Sequence, residues 1–315
     1  MARSKSPAPK AASKAASAPS FAAFVGGTIN WGDFNVTPLT TPLASFGIMT
    51  LVYGTEMMGF QLTGADNKPS FKAANPCTKY MKDTEGCEAN AYLQFSYTFF
   101  GCCLLMQALL SIATAFRKNV AKQVSLARAR MFQCMATAAL LLGGKGILAP
   151  AQIQMALALQ LFFGFWLQNA CRGQGAGCTL GERDFHKHGK LGYVYLAFFA
   201  CNMFYFVNYG MFTGAADDAK DGADVTSAQS LHMQAWLMYA VLICSGDMLF
   251  GFEYLNSAEL SENLQLYAVA LALQLYFTQQ PFFANAFNEA AAMQVQVLTS
   301  TFLGAAVAFG CGFVN

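Results

Sequence analysis

Long apolar runs, each about as long as a bilayer is thick, recur along the chain, and the short segments between them hold nearly all of its charge. A helical run of ~20 apolar residues spans the ~30 Å of hydrocarbon in a bilayer, whereas soluble core helices rarely reach that length without a charged face. Composition points the same way: 11% of residues are charged, against about 25% in a soluble domain. The pattern predicts an all-α, polytopic transmembrane helix bundle whose first partner is the lipid bilayer.

The expected spans are 43–63, 91–116, 130–149, 151–171, 191–213, 232–252, 264–281 and 290–313. That makes about eight, or seven if the short, Gln-rich segment 264–281 does not cross. Gly146 to Pro150 reads as a tight hairpin, and Pro281 and Asn285 mark the last turn. Ahead of the helical domain (43–315), residues 1–20 form a basic tail rich in Ala and Ser, and the first acid is Asp33. Such a segment has no core to build and reads as a disordered tail; an acid-poor, Ser-rich organelle transit peptide is the other reading. Residues 21–42 read as an interfacial entry segment, with Trp31 at headgroup level.

Lys and Arg set the orientation. With the N-terminus inside, the inner segments hold thirteen basic residues, five of them Arg117, Lys118, Lys122, Arg128 and Arg130, and the outer segments hold six. Both termini are therefore expected on the cytoplasmic side. The net charge of +2 gives no basic surface for nucleic acid.

Cys77 and Cys87 share one outer loop and are the disulfide candidate in an oxidising compartment. That pairing implies a plasma or endomembrane location, and a transit peptide at 1–20 implies an organellar one. Cysteines inside the spans read as small apolar filler. Cys171 and Cys178, near His186 and His188, lack the tight spacing of zinc modules, so no metal is expected.

Ionisable groups inside a bilayer are costly and mark function. Glu56 lies in the outer half of the first span and Asp247 in the inner half of the sixth, separated in depth by roughly 12 Å at ~1.5 Å per residue. That is too far to share a proton, but it suits two stations on one path. No basic residue is expected near Asp247. Lys145, near the outer end of the third span, is the expected partner of Glu56, and its Gly-rich surroundings lack the spacing of a phosphate loop. Asn202, Tyr205 and Tyr209 form a polar stripe on the fifth span, and Gly304, Ala308 and Gly312 form a small-residue packing face on the last.

Three His residues are too few for a membrane di-iron site or a bis-His haem. No late span carries a Lys for retinal, and no Ser/His/Asp or Cys/His set lies within a span. No enzyme activity, catalytic residue or cofactor is therefore expected. Two functions remain. One is a secondary transporter or channel for a small ion or solute, using Asp247, Glu56 and the polar stripe. The other is a non-catalytic structural or assembly subunit of a larger membrane complex, or a homo-oligomer.

Two short internal matches disagree about duplication. Residues 156–163 resemble 270–277, pairing the fourth span with the seventh. Residues 152–155 resemble 294–297, pairing the fourth with the eighth, as a four-plus-four repeat requires.

Overall fold

A computed structural model describes residues 36–59, 76–178, 186–211, 218–221 and 223–313. The tail 1–20 and most of 21–42 lie outside the described residues. Among those described there is no strand, and eight helices have 17 residues or more: α1 (Thr40–Met57), α4 (Ala91–Ala115), α5 (Val120–Gly143), α6 (Pro150–Cys171), α7 (Gly189–Tyr205, continued as a π-turn over Phe206–Met211), α8 (Ala228–Tyr254), α9 (Ser257–Phe277) and α11 (Glu289–Gly310). Short helices α2 (Pro76–Tyr80), α3 (Thr84–Ala89) and α10 (Pro281–Ala286) lie in the connections. Five helices, α4, α6, α7, α8 and α11, are long and apolar enough to cross a membrane.

Side-chain caps set the helix starts. Asn90, Asn119, Ser227 and Asn288 each accept a hydrogen bond from the first turn they precede, and Asn256 forms a capping box with Glu259. Each cap is worth about 1 kcal/mol. They correct two expected boundaries. Asn119 starts α5 at Val120 rather than 130, and Asn256 starts α9 at Ser257 rather than 264. Charged residues that hydropathy assigns to loops are therefore helical, Arg130 among them.

The centre of the bundle is the α4–α8 pair, 78% and 61% buried over their apolar windows, whereas α6 and α11 are only 11% buried. The outer helices present large apolar side chains outward, including Phe162 and Phe165 of α6 and Phe204 of α7, as a lipid-facing surface does. Helix α1 lies tight on α4 because two glycines meet. A Cβ on Gly54 would stand 2.9 Å from the Gly101 carbonyl oxygen, and one on Gly101 would stand 2.6 Å from that of Gly54. Small residues at a crossing bring two backbones into van der Waals contact. Of the stripe Gly304, Ala308 and Gly312, Gly304 does not pack against another helix of the chain. Nothing lies within 4 Å of a Cβ built on Gly304, and α11 instead meets α9 at Gly310, against Leu264 and Gln265.

The two halves are built alike. A shift of 137 residues takes the cap Asn90 to Ser227 and the cap Asn119 to Asn256. In the first half Met81 bridges Leu148, flanked by Lys82 N–H to Ile147 O (2.9 Å) and Ala149 N–H to Tyr80 O (3.0 Å). In the second half Ala219 bridges Phe287, flanked by Lys220 N–H to Ala286 O (3.1 Å) and Asn288 N–H to Asp218 O (2.9 Å). The ring contact of Phe46 with Phe163 recurs as Phe198 with Phe302. Across the middle the contacts are reciprocal: Gln107 Nε2 reaches Ala240 O and Cys244 Sγ reaches Cys103 O. Gln107 and Cys244 are counterparts under the shift of 137, as are Cys103 and Ala240. Reciprocity of this form is what a two-fold relation imposes. Helix α6 therefore pairs with α11, the fourth with the last. The short 152–155 match finds the right helix but is three residues out of register, and the 156–163 match is coincidental.

Candidate functional site

Asp247 is not alone at its depth. Its Oδ2 lies 2.8 Å from Nη2 of Arg130, with the two side chains 6% and 1% exposed. Arg130 lies on the buried stripe of α5 formed by Gln123, Leu126, Ala127, Arg130 and Cys134, the i, i+3, i+4, i+7 spacing of a core-facing helix. Its other donors are used as well: Nε reaches Ser111 Oγ (2.9 Å) and Nη1 reaches Gln133 Oε1 (3.0 Å). The Gln133 amide in turn donates to Gln107 Oε1 (2.6 Å). The cluster is neutral overall and ties α4, α5 and α8 together. Removing one partner of such a pair leaves an uncompensated charge in apolar surroundings, a loss of about 3–5 kcal/mol.

Glu56 sits in the last turn of α1, where the helix dipole disfavours an acid. Lys79 Nζ compensates at 2.7 Å, and the Tyr80 hydroxyl donates to the second carboxylate oxygen. Burial, and then the hydrogen bond to Glu56, push the Tyr80 phenol above its ordinary value of 10.0. Lys79 and Tyr80 belong to α2, and Cys77 and Cys87 beside them stand at disulfide distance (Cα–Cα 5.5 Å), joining α2 to α3. Lys145 is not the partner of Glu56: it is exposed, in the turn where its backbone bridges Leu148.

Between these two charged clusters lies a cavity of about 120 Å³. Tyr53, Met57, Tyr80, Gln133, Thr137 and Tyr239 line it, with Phe46, Tyr97, Gln152, Gln160 and Trp236. Tyr80 links the cavity to Glu56, and Gln133 links it to Arg130 and so to Asp247. Two residues that line it, Tyr97 and Gln152, each carry a buried polar atom, Oη and Oε1, without a hydrogen-bond partner in the protein. An unsatisfied buried group costs about 1–3 kcal/mol, and such groups are rare in native proteins.

The polar stripe of α7 belongs elsewhere. Asn202 and Tyr205 line a second cavity of about 140 Å³ on the other side of α4–α8, with Gln274 and Thr299. The side chain of Tyr209 lies outside the described residues. Sequence reasoning misses Arg130, Gln133, Lys79, Tyr80 and Tyr97. For the first two the signal is present, since residues 123, 126, 127, 130 and 134 keep helical spacing through the charged stretch. His188 bonds Ser257 Oγ and the Phe252 carbonyl, and among the described residues no three His, Cys, Asp or Glu gather as metal ligands. Compared with protein-family models, curated proteins and solved structures, the chain matches none.

Proposed function

We propose that the chain is a secondary carrier for a small solute, built as an eight-span bundle with both termini on the cytoplasmic side. The cavity between Glu56 and Asp247 is its binding site. One observation carries the reading: one cavity is lined both by Tyr80, bonded to Glu56 of a half-buried ion pair, and by Gln133, bonded to Arg130 of a buried one. The parallel internal repeat supports it, since many carriers are two like halves related by an axis along the membrane normal, with the site near mid-depth. Phe46, Leu104 and Trp236 in the cavity wall favour a carrier over an open polar channel. Lys79, Tyr80 and Glu56 form the outer gate, and Arg130 with Asp247 the inner one. A proton or cation that takes the place of Arg130 at Asp247 frees the inner gate and crosses with or without a solute in the cavity.

Proton flux into proteoliposomes of the purified full chain tests this, with Tyr97→Phe as the conservative cavity variant. The carrier reading expects flux in wild type and a clear loss in Tyr97→Phe. The exposed apolar faces of α6, with Phe162 and Phe165, favour the assembly-subunit reading as the second. Absence of proton, sodium, potassium and chloride flux, together with a large heteromeric particle in mild detergent, selects it instead.

A further inference from the structure

The second half of the chain holds a cavity in the same place as the first. Where Phe46, Thr50 and Tyr53 line the first cavity, Phe198, Asn202 and Tyr205 line the second at a constant shift of 152 residues. Where Thr137 and Gln160 line the first, Gln274 and Thr299 line the second. The shape is kept and the charge is not. The counterpart of Arg130 is Tyr267, that of Asp247 is Leu110, and that of Glu56 is Asn208.

The remaining wall is apolar, with Leu, Met, Val and Cys side chains beside a set of aromatic rings. The Phe198 and Phe302 rings stand 4.3 Å apart, and Phe95 and Phe99 stand 4.6 Å apart. Asn202 and Gln274 bring amides, which offer donors and an acceptor each. The volume of about 140 Å³ is close to that of an apolar cavity known to hold a benzene ring, roughly 150 Å³.

We propose that this second cavity is a binding site, separate from the charged one, for a neutral single-ring molecule carrying a hydroxyl or carbonyl. The ring packs against this apolar wall and the oxygen meets the amides of Asn202 and Gln274. The ring belongs either to a free small aromatic compound or to the head of a ring-bearing lipid. The site does not depend on transport, so it stands if the carrier reading fails.

Cys201 lines this cavity and is a free thiol, so it reports occupancy. The purified full chain in lipid nanodiscs is treated with N-ethylmaleimide, and peptide mass spectrometry follows labelling of Cys201, without additive and with phenol, 4-nonylphenol or toluene. At about ten times its Kd, a bound phenol slows labelling about tenfold, and toluene protects less. Gln274→Leu removes the advantage of phenol over toluene, while Tyr97→Phe in the first cavity leaves it intact. Protection by phenol points to a free aromatic ligand, and protection by nonylphenol alone points to a ring-headed lipid. Equal protection by phenol and toluene, no protection by any of the three, or loss of protection in Tyr97→Phe instead of Gln274→Leu overturns the assignment. Thermal unfolding of each variant is followed alongside, so that a misfolded chain is not read as a lost site.

Discussion

Arg130 and Asp247 come from different halves of the chain and meet at 2.8 Å with almost no exposure. A buried ion pair adds little stability over a well-packed apolar pair, but a broken one is costly. This one also ends the chain of contacts that runs from Gln133 at the first cavity.

Single and double neutralisation of the pair should therefore differ sharply. Asp247→Asn leaves Arg130 charged and buried and is expected to cost about 3–5 kcal/mol. Arg130→Gln with Asp247→Asn keeps hydrogen-bonding groups without charge and should recover most of that loss. Thermal unfolding in mild detergent measures both. Equal destabilisation by the single and double variants would show that the two charges are not coupled.

Gly54 and Gly101 set the distance between α1 and α4. A methyl on Gly101 falls 2.6 Å from the Gly54 carbonyl oxygen, a backbone atom that cannot swing aside. Gly101→Ala is expected to destabilise by about 1–3 kcal/mol, as overpacking does, whereas Gly304→Ala, with open space around it, should change stability little. Denaturation midpoints of the two variants decide.

The Cys77–Cys87 pair closes a loop with a sequence separation of 10. A link of that size is worth about 3 kcal/mol in chain entropy, exerted on the segment that carries Lys79 and Tyr80. Limited proteolysis should cut 76–90 faster in Cys77→Ser/Cys87→Ser than in wild type. An unlinked pair in a non-reduced peptide map of the wild-type chain would refute this.

Tyr80 gives a pH signature. Its folded-state phenol is raised above 10.0 by burial and by the bond to Glu56, so the folded state keeps a proton that the unfolded chain releases. Stability from this group is complete below pH 10 and falls as the pH rises through and beyond that value. Wild type should lose stability above about pH 10, the unfolded value, and Tyr80→Phe should lose less over the same range. Parallel curves for the two proteins would contradict the assignment.

The parts of the fold legible in the sequence are those where composition and capping change together. Asn90 and Pro150 stand at the start of apolar runs, and α4 and α6 begin within a residue of the expected 91 and 151. Where they part company the reading fails. Lys122, Arg128 and Arg130 mark 117–130 as a loop by charge, yet Asn119 starts a helix that carries Arg130 to the middle of the bundle. With Arg130 placed at the membrane edge, Asp247 looks unpaired and the network through Gln133 is invisible. The repeat is hidden for another reason. It is held by backbone bridges at 81/148 and 219/287 and by central contacts between unlike residues, Gln107 with Cys244 and Lys122 with Glu259, so geometry preserves what residue identity does not. The expected Lys145–Glu56 pair fails because Lys79, eight residues before Cys87, is brought to Glu56 by the short helix α2, and sequence distance carries no signal of that approach.

The most direct test of the central claim is proton flux in proteoliposomes with the charge-neutral pair Arg130→Gln/Asp247→Asn, beside wild type and with folding verified by thermal unfolding. If the cavity between Glu56 and Asp247 is a carrier site with its inner gate at this pair, wild type conducts and the folded double variant does not respond to a pH gradient. Flux in the double variant equal to that of wild type would remove the pair from the path and contradict the account.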